Sequence, residues 1–190
     1  MFINIRILKQ LMKTTYKGTG LILAQTEDRY YIAGSCWEMD VKKNYMPKQI
    51  MAQIIDLAGE LPAIGTRKKY YRMNGNDESC DSKGALTIEP REYVDAEVTN
   101  LLLIDASGIA NRILQVVDHL EIVNNAFILI ADPESVDQKN ESSINGPFFE
   151  GTSILWETNQ ARFRAYRKED KKHNRLLKEL ALIDLTEDPL

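Results

Sequence analysis

Three acids stand where a divalent metal would need them. Asp105 closes the apolar run VTNLLLID (98–105). Asp132 closes a second run, AFILIAD (126–132), and Glu134 follows two residues on. Oxygen ligands of this kind suit Mg²⁺ or Mn²⁺. Two metals held by carboxylates would position a water and neutralise the leaving oxygen of a phosphoryl transfer. In an open α/β sheet, ligands bind beyond the carboxyl ends of the strands, so the acids converge if the two runs are parallel neighbours. Between them, Ser107-Gly108 is expected to open a helix. Ser107 is the natural N-cap, and the same helix N-terminus would take an anion.

Other chemistry is thinly represented. Neither G-x-G-x-x-G nor a Walker A sequence occurs, and H-E-x-x-H is absent. The two cysteines, Cys36 and Cys80, form no C-x-x-C and read as free thiols. No cofactor is expected unless the three acids hold Mg²⁺ or Mn²⁺. A strand-end acid followed by a strand-end D-x-E resembles the metal site of Toprim-type nucleases and primases over about 35 residues. The chain departs from that pattern at Asp105, where the family has Glu, and at Ala106, where it has Gly. The resemblance implies a metal-dependent phosphoryl-transfer or nuclease-like enzyme.

Charge offers a second set of candidates. The net charge is -4 and the pI about 5.3, yet the distribution is uneven. From Ala96 to Gln160 only Arg112 and Lys139 are basic, against ten acids. From Ala161 to Leu180 eight residues are basic, among them Arg162, Arg164, Arg167, Lys171, Lys172 and Arg175. A second knot reads Arg67-Lys68-Lys69-Tyr70-Tyr71-Arg72. Basic residues interleaved with tyrosine would contact phosphates and stack on bases. An acidic pI speaks against a nucleic-acid binder, and solvated faces explain most such runs. The segment NGPFFEG places Phe148 and Phe149 in an expected loop, where one of them would be exposed as an interface anchor.

The elements that must hold these residues follow from periodicity. Ile3, Ile7, Leu8 and Leu11 have helical spacing. LILAQ and YYIAGS flank a short polar loop and predict a hairpin, and TSILWET and ARFRAYR predict another around Asn159-Gln160. Pro47 opens a helix that Pro62 ends. IGTRKKYYRM and ALTIE predict strands, and residues 74–84 and 133–146 predict mobile loops. The run at 98–105 reads as a strand covered on both faces. Ile109, Ile113, Val116, Val117 and Leu120 form the stripe of a helix, and 126–132 a parallel strand, giving a βαβ-like unit over 98–132. Asn124-Asn125 offers a rival hairpin turn. Residues 168–185 predict an amphipathic helix, and 186–190 a frayed tail.

The expected fold is therefore a single α/β or α+β domain spanning 1–190. It has a mixed sheet, two β-hairpins, the βαβ-like unit and a C-terminal helix. No signal peptide and no apolar stretch of about 20 residues is evident, so a cytoplasmic protein with no membrane partner is expected. The leading functional expectation is a non-catalytic interaction or assembly protein. Its surface would combine the Phe148-Phe149 loop with the basic C-terminal region, and its partner would be another protein or a second copy. The metal-dependent enzyme and the nucleic-acid binder are the alternatives.

Overall fold

The computed structural model describes residues 1–89, 91–117, 119–167, 174–180 and 182. Its first helix, α1 (Ile5–Lys17), starts where the Asn4 side chain accepts the N–H of Ile7, which satisfies one orphan donor of the first turn. Leu8, Met12 and Tyr16 fall on its buried face. The expected hairpin follows as β1 (Leu21–Gln25) and β2 (Arg29–Ala33), then β3 (Trp37–Lys42). Helix α2 (Lys48–Ala58) begins after Pro47 and ends at Gly59, whose φ of 76° suits glycine.

Strand β4 (Arg67–Met73) turns into β5 (Asn76–Asp81) through Asn74-Gly75, both at positive φ (52° and 85°). This corrects the loop expected at 74–84. Asn-Gly is the preferred pair for a two-residue hairpin turn, and the acidic composition of β5 concealed it. Residues 85–89, expected as a strand, instead lie in an irregular segment.

The βαβ-like unit is also corrected. In its place stands a meander of β6 (Val94–Ile104), β7 (Ala110–Val116) and β8 (His119–Asn124), paired antiparallel. The helical stripe read there is rich in isoleucine and valine, which lose χ1 freedom in a helix and suit strands. Helix appears only at α3 (Asn125–Ile128), inside the expected second strand. The Asn124 side chain accepts the N–H of Ala126 and starts that helix, so Asn124-Asn125 turns no hairpin. The remaining elements are β9 (Asn145–Phe149), β10 (Ser153–Glu157), β11 (Ala161–Tyr166) and α4 (Asn174–Leu180). β10 and β11 are the second expected hairpin. The tail at 186–190 lies outside the described residues.

Among the described residues the strands join into one eleven-stranded sheet, ordered β5-β4-β1-β2-β3-β11-β10-β9-β6-β7-β8. All described pairings are antiparallel, so the chain is a single α+β domain rather than a mixed-sheet α/β one. Period-two alternation divides its faces. Leu23, Ile32, Met39, Phe163 and Trp156 point to the face covered by α1 and α2. Ala24, Tyr31, Ala33 and Leu155 point to the other, where Ile88 covers them. No helix among the described residues is long and apolar enough to cross a membrane.

Val117 carries strain. It follows β7, is 75% exposed and has a φ of 40°. A β-branched residue is a poor occupant of that region, whereas asparagine tolerates it. Val117→Asn is expected to stabilise the fold by about 1 kcal/mol, read as a higher urea midpoint at unchanged m-value.

Candidate interaction surface

The antiparallel meander separates the elements that the metal reading needed as parallel neighbours. Asp105 lies in the β6–β7 turn, where its Oδ1 accepts the N–H groups of Ser107 (2.9 Å) and Ile109 (3.0 Å). Ser107 and Gly108 belong to the same turn, with Gly108 at φ 80°, and not to a helix N-terminus. Asp132 caps a short 3-10 turn, accepting the N–H of Glu134 (3.1 Å) and the hydroxyl of Ser135 (2.7 Å). Glu134 is exposed in that turn. Among the described residues, no group of three or more His, Cys, Asp or Glu side chains could hold a metal.

Phe148 and Phe149 stand in strand β9, not in a loop, and alternate between its faces. Phe149 joins the main core, and Phe148 stacks on Tyr93 with ring centroids 4.1 Å apart. The arginines of β11 are structural as well. Register places Arg162 opposite Asp40 and Arg164 opposite Glu38. Arg162 donates to the carbonyl of Ile88 (2.8 Å) and pairs with Glu157 (3.3 Å). Arg164 is 2% exposed. It donates to Glu150 (2.6 Å), Glu38 (2.8 Å) and the carbonyl of Glu89 (2.7 Å). Arg167 pairs with Glu121. Lys171 and Lys172 lie outside the described residues, and Arg175 falls in α4.

The knot in β4 is similarly engaged. Arg67 donates to the carbonyl of Ala85 and sits over the Tyr31 ring. Lys68 approaches Glu60 at 3.9 Å, Arg72 donates to the carbonyl of Gly75, and Tyr70 is buried in the core. A buried tyrosine offers no stacking face. Lys69 packs its stem against Gly20.

Together these arginines and Asp40 strap residues 82–89 across the sheet. Asp40, fully buried, accepts the N–H of Ile88 on Oδ2 at 2.9 Å and two bonds from Arg29 on Oδ1 (2.8 and 3.2 Å). Tyr31 donates to Glu38 at 2.5 Å. Burial first, then Glu38, pushes the Tyr31 hydroxyl well above the usual tyrosine range. The folded pKa is thus raised above the unfolded value of about 10. The stability it contributes is complete below about pH 10 and is lost as pH rises toward the folded value. Tyr31→Phe is expected to flatten that alkaline loss, read as the urea midpoint across the alkaline range.

What stays open is an edge of the sheet. β5 is exposed along its length but carries Asp77, Glu78 and Asp81, charges that discourage further pairing. β8 is largely buried and α4 packs against it. β6 differs from both. Its pairing with β9 covers Val94 and Asp95 alone. The next position on β9 is Pro147, which has no N–H to offer. From Ala96 onward β6 has β7 on one side and, among the described residues, no strand on the other.

That edge is apolar and its backbone is available. Val98 (42%), Leu101 (36%), Leu102 (47%) and Ile104 (74%) are exposed, which corrects the expectation of a strand covered on both faces. The β6–β7 register shifts between Val98 and Leu102. Thr99 fixes this bulge by donating to the carbonyl of Ile113 (2.9 Å) and accepting the N–H of Leu101 (3.2 Å). Beyond it the ladder is regular: Leu102, Leu103 and Ile104 lie opposite Arg112, Asn111 and Ala110. The N–H of Asp105 donates to the carbonyl of Ile109 (3.0 Å), which sets the phase. Antiparallel ladders alternate bonded and non-bonded pairs, so Leu103 bonds to β7. Leu102 and Ile104 turn their N–H and C=O groups outward.

No family model and no curated protein matches the chain. Among solved structures it is similar to the β subunit of DNA polymerase from Streptococcus pyogenes, at 11% identity and a TM-score of 0.36. It is also similar to the DNA polymerase III β chain from Streptococcus pneumoniae TIGR4, at 8% identity and a TM-score of 0.37. Each match covers 92% of this chain and 66% of the other. Likeness at these TM-scores bears on neither fold nor activity.

Proposed function

We propose that the chain is a non-catalytic interaction or assembly protein that accepts an extended protein segment along β6. One observation carries the reading: β6 combines an unpaired backbone edge with exposed Leu102 and Ile104, while β5 is charged and β8 covered. Main-chain hydrogen bonds supply affinity in strand addition, and alternate side chains supply selectivity. The proposed surface lies on β6, whereas Phe149, Arg162, Arg164 and Arg167 make contacts within the fold.

The test uses a capped nine-residue peptide of alternating valine and threonine. It is expected to bind the intact chain and to shift the amide resonances of Leu102 and Ile104. The same peptide with proline at alternate positions lacks the donors and is expected not to bind. Equal binding of both peptides, or shifts confined to other strands, would overturn the reading.

A further inference from the structure

We infer that the segment that adds to β6 is β6 of a second copy of this chain, paired antiparallel about a two-fold axis through Leu103; this rests on the strand-addition reading above. The backbone phase selects the axis. Leu102 and Ile104 both face outward, so bonded pairs join outward-facing positions; an axis through Leu102 would set Ile104 against Asn100 in the bulge, and one through Ile104 would set Leu102 against Ala106 in the turn, which leaves the axis that joins Leu102 to Ile104. An axis through Leu103 sets Leu102 opposite Ile104 of the second copy and Ile104 opposite its Leu102. Each such pair exchanges two N–H···O=C bonds. Leu103 then meets its own counterpart as a non-bonded pair, with Cα atoms about 4.5 Å apart.

Charge selects the direction. Residues 98–104, VTNLLLI, carry none. Antiparallel pairing about Leu103 sets Asp105 opposite Leu101 and carries Glu97 past the turn that ends β6 of the second copy, so no acid meets an acid. Parallel pairing would bring Asp105 beside Asp105 and Glu97 beside Glu97, and like charges placed opposite each other destabilise a sheet. Side chains fit the same arrangement. Leu102 and Ile104 of both copies form one apolar row on one face, and Leu101 and Leu103 form another on the reverse.

Closure selects a second copy over an unrelated strand. A two-fold contact uses the same patch on both subunits and then stops. It would join the two meanders as β8-β7-β6-β6-β7-β8. The outer β8 strands already lie against α4, and the far ends of the sheet carry the acids of β5. The contact therefore consumes the apolar edge without opening another.

The experiment is disulfide trapping in the intact chain, with sedimentation of the wild type beside it. Cys36 and Cys80 are exposed free thiols and are first replaced by serine. Leu103→Cys in that background is expected to oxidise to a covalent dimer, because a Cα separation of about 4.5 Å lies within disulfide range. Val117→Cys in the same background is expected to form no covalent dimer. The wild type is expected to sediment at twice the chain mass, and Leu102→Lys, checked for folding by circular dichroism, at the chain mass. A wild-type dimer in which Val117→Cys is trapped and Leu103→Cys is not would overturn the register and the surface. A wild-type monomer that still adds the valine–threonine peptide would overturn the second-copy inference and leave the strand-addition reading standing. A monomer that does not add the peptide would remove both.

Discussion

Arg164→Leu is expected to destabilise the fold by about 3–5 kcal/mol, the usual loss when one partner of a buried ion pair is removed. Arg164 is 2% exposed and spans two carboxylates and a carbonyl. Its Nε donates to Glu150 at 2.6 Å and its Nη2 to the same carboxylate at 3.1 Å. The other nitrogen reaches Glu38 at 2.8 Å, and Nη2 also holds the carbonyl of Glu89 at 2.7 Å. Among the described residues, leucine leaves the buried Glu150 carboxylate with only the Ser153 hydroxyl (3.2 Å) as a donor. Glu38 keeps the hydroxyls of Tyr31 and Tyr166 and is less affected. The strap at 82–89 loses one anchor as well.

The cause of that loss is separable. If it is the stranded charge, Glu150→Gln added to Arg164→Leu should recover a large part of the stability. If it is packing, the double variant should be no better than the single one. Arg164→Lys keeps the charge but not the planar fork, so it can serve one carboxylate only. It is expected to fall between the wild type and leucine. Urea midpoints at constant m-value measure all three.

The second large effect concerns β6. Leu102→Lys combined with Ile104→Lys is expected to abolish association through this edge and to raise solubility. Two ammonium groups on the exposed row would have to be desolvated before another strand could pair, and lysine on an edge strand guards against such pairing. The same change should alter stability by no more than about 0.5 kcal/mol per site, the usual range for exposed positions. A solubility limit and a sedimentation profile, taken beside a urea midpoint, separate the two effects. A variant that associates like the wild type would show that the contact lies elsewhere.

Much of the scaffold was legible from residue order. Helical spacing at 3–11, Pro47 before α2, the polar loop at 26–29 and the turn at Asn159-Gln160 each mark an element that formed. The stretch from 105 to 132 misled because isoleucine and valine at three- and four-residue spacing mimic a helix stripe while favouring strands. The arginines misled for a different reason. Arg162 and Arg164 read as surface charge until register sets them against Asp40 and Glu38, more than 120 residues away in sequence. The spacing itself was visible: two acids and two bases, each separated by one residue, are what facing strands require. VTNLLLI misled because apolarity predicts burial only when a neighbour arrives. The proline at 147, which ends the β9 pairing, was the available sign that none does.

The most direct test of the open edge is hydrogen exchange at single amides of the dilute chain, repeated with the valine–threonine peptide present. The N–H groups of Leu102 and Ile104 are expected to exchange rapidly in the dilute chain, while that of Leu103, bonded to β7, is slow. With peptide bound, all three are expected to be slow. Slow exchange at Leu102 and Ile104 in a chain dilute enough to sediment as a monomer, or rapid exchange there with the peptide present, would contradict β6 as the interaction surface.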